Sequence, residues 1–220
     1  MKNIGLIGCG NIAETYFRAQ EYFNNINFVA CADINLDAAK KTATQYNIIP
    51  LSVDEILTDK NVDIILNLTI PQAHYEISRR ALESNKHVYC EKPMSVKFDD
   101  AKELLNLAKK NSLYIGNAPD TFLGGGGQLT RNLIDNDDIG QILTGNFIFA
   151  FPGVQDFHPS PESWFQEGGG PVIDMGPYFF TTLVNLLGPV KNIRGRGAKF
   201  SEKREYKAGP KKGETFNVDI

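Results

Sequence analysis

Along the first half of the chain, short apolar runs alternate with segments of helical periodicity. Lys2-Asn3-Ile4-Gly5-Leu6-Ile7 reads as a buried strand, and Phe28 to Ala32 as a second. Between them Ile12, Tyr16, Phe17, Gln20 and Phe23 fall near one helical face. Asn35 is placed to cap a helix from Ala38 to Tyr46. A short run, Ile48 to Leu51, leads into Ser52-Val53-Asp54-Glu55, which matches a capping box. Val62 to Leu68 is the clearest central strand, followed by a helix from Gln72 to Ser84 and a strand from His87 to Cys90. Phe98, Ala101, Leu104, Leu105 and Ala108 mark another amphipathic helix, and Leu113 to Gly116 a sixth strand. Such alternation predicts parallel strands joined by right-handed crossovers.

After Asn117-Ala118-Pro119 the pattern changes. A four-glycine run, Gly124 to Gly127, precedes a helix marked by Leu129, Leu133 and Ile134. Ile142 to Phe151 alternates like a long strand of an antiparallel sheet. A Pro- and Gly-rich loop to Pro171, a helix around Met175 to Leu187, and extended stretches at Val190–Phe200 and Thr215–Ile220 complete the chain. The expected organisation is α/β: a doubly wound parallel domain over 1–119, then an α+β domain with a mostly antiparallel sheet over 120–220. With about three clear strands that sheet reads as incomplete, its partners supplied by another chain or by sequence beyond this one.

The junction of the first strand and helix carries chemistry. Gly8-Cys9-Gly10-Asn11-Ile12-Ala13 follows the strand at once, and the next strand ends in Asp33. Strand, glycine turn, helix, strand and terminal acid form a dinucleotide-binding fingerprint. Gly8 permits the tight turn, Gly10 lets a pyrophosphate approach the backbone, and Ala13 keeps the helix close to the sheet. The helix N-terminus favours the phosphates. Asp33 suits the adenosine ribose hydroxyls and favours NAD over NADP, since a carboxylate repels a 2′-phosphate and no Arg or Lys follows directly.

The 220 residues carry a net charge of −3, which gives no broad basic field for nucleic acid. The basic run Lys203, Arg204, Lys207, Lys211, Lys212 is broken by acids and glycine and reads as a solvated loop. Cys9, Cys31 and Cys90 lack CxxC spacing and suit packing beside parallel strands. Neither a secretory apolar region nor a span long enough for a membrane is present, so the reading is a cytoplasmic, reduced protein. No cluster has metal-ligand spacing.

Glu91-Lys92-Pro93 lies at the carboxyl end of the fifth predicted strand, the edge where doubly wound sheets bind ligands. Position alone leaves Lys92 equally an exposed strand-end lysine. The run Ala81 to Pro93, however, resembles the "AL..GKHV..EKP" signature of the Gfo/Idh/MocA oxidoreductases. Thr69-Ile70-Pro71-Gln72-Ala73-His74 resembles their "TP...H" loop. Trp164-Phe165 with Gly168-Gly169-Gly170-Pro171-Val172-Ile173-Asp174-Met175-Gly176 resembles their "W…GGG…D.G.H" segment. The resemblance implies a Rossmann domain, an antiparallel sheet domain often used in homo-oligomers, and a site between them. It implies nicotinamide-cofactor contacts from Gly8, Gly10, Asn11, Ile12, Asp33, Thr69, Pro71, His74, Glu91 and Lys92, and often a cis bond before the proline matching Pro93.

The implied reaction moves a hydride between nicotinamide C4 (NAD, with NADP as the variant) and a carbinol carbon of a sugar, cyclitol or related polyol. Lys92 polarises the reacting oxygen and Asp174 holds Lys92. Where the family places a proton-transferring histidine, this chain has Tyr178, at i+4 from Asp174 and so on the same face of one helix. A phenol of ordinary pKa, about 10, is a poor base unless an ammonium such as that of Lys92 lowers it. His158, in the Asp156–Ser160 loop, is the other candidate for the proton. Trp164 fits either an aromatic wall at the substrate or simple packing. Two rivals remain: an NAD-dependent glycoside hydrolase on the same scaffold, and a non-catalytic dinucleotide sensor.

Overall fold

The computed structural model describes every residue except Pro159, Glu167, Gly168 and Ile220, with Ser163 described by its backbone alone. It divides into two compact units, Met1–Ala118 and Pro119–Ile220.

In the first unit, β1 (Lys2–Ile7), α1 (Ala13–Ala19), β2 (Ile26–Ala32), α2 (Leu36–Tyr46), β3 (Ile49–Pro50), α3 (Val53–Thr58), β4 (Ile64–Asn67), α4 (Pro71–Glu83), β5 (His87–Cys90), α5 (Phe98–Lys110) and β6 (Ile115–Asn117) follow in turn. The strands form one parallel sheet in the order β3-β2-β1-β4-β5-β6. Side chains alternate across it, because successive Cβ atoms in a strand point to opposite faces. Ile4, Leu6, Phe28, Cys31 and Leu66 pack under α1 and α2 against Ala13, Phe17 and Ala43. On the other face Ile7, Ala30, Ile65 and Val88 meet Ile56, Leu82 and Leu104 from α3, α4 and α5. Both faces are therefore covered, as all-parallel sheets require.

The helix starts follow the expected local chemistry. Asn35 Oδ1 accepts from the amides of Asp37 (3.1 Å) and Ala38 (3.4 Å). Ser52 and Glu55 close a capping box before α3. Two helices are less amphipathic than the pattern suggested. Helix α1 ends at Ala19, so Phe23 lies beyond it and is exposed. In α5, Leu104 and Ala108 are buried while Phe98 and Leu105 face solvent.

The second unit holds α6 (Gly125–Asp135), α7 (Gly170–Asp174), α8 (Gly176–Leu187) and an antiparallel pair, β7 (Lys203–Glu205) and β8 (Thr215–Asn217). Helix α6 begins inside the glycine run. A Cβ on Gly127 would lie 2.1 Å from the Phe122 carbonyl oxygen, so only glycine fits there. The segment 142–151 is not a paired strand, which corrects the expectation of a long one. Its alternation instead sets Phe147 and Phe149 against Phe179 of α8, with ring centroids 5.6 Å apart in each case. Residues 190–200 also form no strand, and the last extended stretch contributes only β8. Phe165, Tyr206, Phe216 and Val218 make a small core of their own.

Lys86 is a buried cation whose Nζ donates to the carbonyls of Asp59 and Val62, both at 2.6 Å, joining the end of α3 to the approach to β4. We expect Lys86→Met, which keeps the apolar stem but strands these acceptors, to destabilise the protein by about 2–3 kcal/mol in urea unfolding.

Candidate functional site

The sheet register builds the site. Ile7 of β1 lies beside Ala32 of β2 and Asn67 of β4, and Asn67 lies beside Cys90 of β5. The next residue of each strand leaves the sheet at the same edge, which lines up Gly8, Asp33, Leu68 and Glu91. Strand order reverses between β1 and β4, where the crevice of a doubly wound sheet opens.

Gly8 has φ +104°, and a Cβ there would sit 2.5 Å from the Leu68 carbonyl oxygen. A side chain is thus excluded both by conformation and by space. Gly10 differs: nothing lies within 4 Å of its Cβ position, so the backbone faces open room. The Ala13 amide, by contrast, is taken by the Gly10 carbonyl at 3.1 Å. Asp33 is fixed by two backbone amides. Oδ2 accepts from Cys9 and Oδ1 from Asn35, each at 2.7 Å. A carboxylate has about four acceptor positions, so capacity for ribose hydroxyls remains. Gly8, Gly10, Asp33, Thr69 and Ile70 line a cleft of about 480 Å³. Arg80 lines it too, its guanidinium paired with the Asp54 carboxylate, and no local motif signalled that role.

A buried polar network shapes the neighbouring loops. Asn67, the last residue of β4, is fully buried. Its Oδ1 accepts from the Thr69 hydroxyl (2.7 Å) and amide (3.3 Å). Its Nδ2 donates to the His74 carbonyl and the Ser78 hydroxyl, both at 3.0 Å. The His74 ring is buried between two carbonyls, with Nδ1 2.6 Å from Pro93 O and Nε2 2.9 Å from Thr69 O. A neutral ring carries one N–H and bonds one of these at a time, the imidazolium both. Pro71 occupies the first turn of α4, where its missing N–H costs nothing.

At the end of β5 the Glu91 carboxylate takes the Tyr16 hydroxyl on Oε1 (2.8 Å) and the Lys92 amide on Oε2 (2.9 Å). Asn117 Nδ2 donates to the carbonyls of Cys90 (2.9 Å) and Glu91 (3.0 Å). The Lys92–Pro93 bond is cis. Lys92 is half-buried at this edge. Of the remaining expected contacts, Asn11 lines a separate cleft with Cys9 and Lys41, and Ile12 precedes α1 and is exposed.

The other named residues belong to the second unit. Trp164 Nε1 donates to Asp174 Oδ2 at 2.8 Å, a pairing that no local motif signals. Asp174 ends α7 and Tyr178 lies in α8, with Met175 between, so the single helix expected through both is two. The cause is Pro177, which has no N–H to continue the ladder, and the Tyr178 amide instead bonds the Met175 carbonyl at 3.1 Å. His158 Nδ1 accepts the Ser160 amide at 3.1 Å, so the neutral ring carries its proton on Nε2. Gly168 lies outside the described residues. Among the described residues no His, Cys, Asp and Glu group could hold a metal, and no helix is long and apolar enough to cross a membrane.

Residues 2–117 match the family model described as the Gfo/Idh/MocA oxidoreductase family, NAD-binding Rossmann fold, and residues 128–217 its C-terminal domain. The chain belongs to the Gfo/Idh/MocA oxidoreductases. This Gfo/Idh/MocA chain is 26% identical to the D-xylose dehydrogenase of Paenarthrobacter nicotinovorans over 71% of its own length and 42% of that protein's. It is 23% identical to the myo-inositol 2-dehydrogenase of Thermotoga maritima, over 94% of this chain and 61% of that one. The crystal structure of an NAD binding oxidoreductase from Klebsiella pneumoniae superposes with a TM-score of 0.80 at 24% identity, covering 99% of this chain and 60% of that one. The chain spans 39% to 61% of the length of the curated relatives it matches.

Because Asn67 serves Thr69, His74 and Ser78 at once, Asn67→Leu is expected to cost about 2–4 kcal/mol in urea unfolding. The same variant should weaken NADH binding more than about tenfold by calorimetry, as the Thr69 loop loses its anchor.

Proposed function

We propose that this chain binds NAD(P) at the β1/β4 edge and takes part in oxidoreduction of a hydroxyl or keto carbon on a sugar, cyclitol or related polyol. The observation that carries the reading is the in-register edge: Gly8 without room for a Cβ, Asp33 anchored beside it, and Glu91-Lys92 two strands away. The names of the two relatives above, acting on D-xylose and on myo-inositol, support the substrate class. NAD is the favoured form, because Asp33 presents negative charge where a 2′-phosphate would lie.

The dinucleotide, when bound, supplies the hydride acceptor or donor. The protein's own residues then do the rest. Gly8 and Gly10 admit the pyrophosphate, and Asp33 takes the ribose hydroxyls. Thr69, Pro71 and His74 shape the wall facing β1, and Glu91 steadies the backbone of Lys92. The Lys92 ammonium binds the reacting oxygen and stabilises its developing negative charge. Asp174, its carboxylate oriented by Trp164, is the second unit's candidate for holding a catalytic ammonium. Tyr178 moves the proton, with His158 Nε2 the competing relay. Pairing with a second copy through the sheet of the second unit, and a cytoplasmic location, belong to the same reading.

An absorbance assay at 340 nm with NAD and NADP against sugars, inositols and their keto forms tests this. Lys92→Ala should lower kcat/KM by about 10³-fold or more while the NADH dissociation constant moves less than about threefold. Turnover near the wild-type rate in that variant removes Lys92 from the chemistry. Tyr178→Phe and His158→Gln separate the two relays, since loss of the true one costs about 10²- to 10⁴-fold in kcat.

A further inference from the structure

The cleft that holds Gly8, Gly10 and Asp33 is otherwise mostly apolar. Ile34, Val53, Ile70, Ala73 and Ile77 line it, and its volume of about 480 Å³ lies in the range of small-molecule sites, about 300–1,000 Å³. Ile34 is 99% exposed and Ile70 65%. Two large aliphatic side chains left in water on the lining of one cleft form a surface that a flat ring would cover favourably.

Among the described residues that line the cleft, Arg80 carries the charge besides Asp33. Ala73, Ile77 and Arg80 recur at i, i+4 and i+7, so α4 turns one face to the cleft. A long helical side chain leans toward its helix's N-terminus, and Arg80 meets Asp54 in the first turn of α3. The bond runs from Arg80 Nη2 to Asp54 Oδ1. The Asp54 side chain is 84% exposed, and an ion pair so open to water adds little stability. Its effect is to fix two complementary groups side by side at the cleft wall. One is a guanidinium with further N–H donors, the other a carboxylate with a second oxygen, Oδ2.

We propose that the Arg80–Asp54 pair reads the edge of the cofactor's base and selects adenine. The proposal rests on the reading of this cleft as the dinucleotide site. With Asp33 on the adenosine ribose, the base joined to that sugar enters the same cleft, and its faces meet Ile34 and Ile70. Adenine carries a donor, the N6 amino group, next to an acceptor, N1. Arg80 donates to N1, and Asp54 accepts from the amino group. Hypoxanthine has the same ring outline with the pattern inverted, O6 accepting and N1–H donating. Its O6 would face the Asp54 carboxylate. The two protein groups do not exchange places, because each is carried by a different helix. A site built to pair polar groups rejects the inverted edge, since the polar atoms on both sides are left unpaired.

Calorimetry with NADH and with reduced nicotinamide hypoxanthine dinucleotide tests this, and the ratio of the two dissociation constants is the readout. We expect the parent to bind NADH about tenfold more tightly than the hypoxanthine form. In Arg80→Met, NADH binding should weaken about tenfold and the ratio should fall to about one. Asp54→Asn should tighten binding of the hypoxanthine form, because a carboxamide turns its amino group toward O6. Arg79→Met, at a residue paired with Glu76 and Glu83 of its own helix, should keep the parent ratio. A pair that merely ties α3 to α4 weakens both dinucleotides alike in the Arg80 and Asp54 variants and leaves the ratio unchanged, which overturns the proposal. So does a loss in Arg80→Met that is confined to NADPH, the mark of a 2′-phosphate contact. Equal affinity of the parent for the two forms overturns it as well. A parent that binds neither dinucleotide overturns the cofactor reading itself.

Discussion

At Gly8 the chain leaves β1 with φ +104° and passes so near β4 that a Cβ would lie 2.5 Å from the Leu68 oxygen. That approach lets the turn close over the sheet edge while the Gly8 amide still bonds Ala32 O at 2.9 Å. From there the position of Cys9 follows, and with it the bond that fixes Asp33. Gly10 then faces open room. A residue larger than glycine at position 8 displaces all of these together, since the obstacle is backbone and has no rotamer to change.

Around this turn the protein holds loops with buried side chains rather than with longer strands. Asn67 ties Thr69 to α4, His74 lies between Thr69 and Pro93, and Tyr16 reaches Glu91 across the edge. The Asn67 bonds and the His74–Thr69 contact close the loop after β4 on itself, while His74–Pro93 and Tyr16–Glu91 join segments distant in sequence; all are partly or wholly removed from water, where an unmade bond is expensive. Their combined effect is a site whose backbone is set before any ligand arrives, the condition under which binding energy is not spent on ordering loops.

Cys9 was expected to be a small buried packing residue like Cys31 and Cys90, yet it is half-exposed. A parallel sheet brings the ends of β1 and β2 side by side, and Cys9, just beyond β1, packs on the same core cluster as Cys31 of β2.

Local features were legible because they depend on near neighbours in sequence. The glycine spacing, the Asn35 cap, the Ser52–Glu55 capping box and the acid ending β2 are set by backbone conformation and periodicity over a few residues. Alternation alone misled at 142–151, because it marks which side chains share a face and leaves open whether a partner strand is there to take the backbone bonds. It misled again at Met175, where Pro177 interrupts a helix that the spacing of Asp174 and Tyr178 made look continuous. Asn67, Arg80, the Tyr16–Glu91 bond and the Trp164–Asp174 bond join residues whose sequence separations or burial carry no periodic signal. By itself the sequence determined the strand–turn–helix units and the residue types at their ends. Only the tertiary structure decided which ends stand together, because strand order and register arise from the packing of distant segments around a common core.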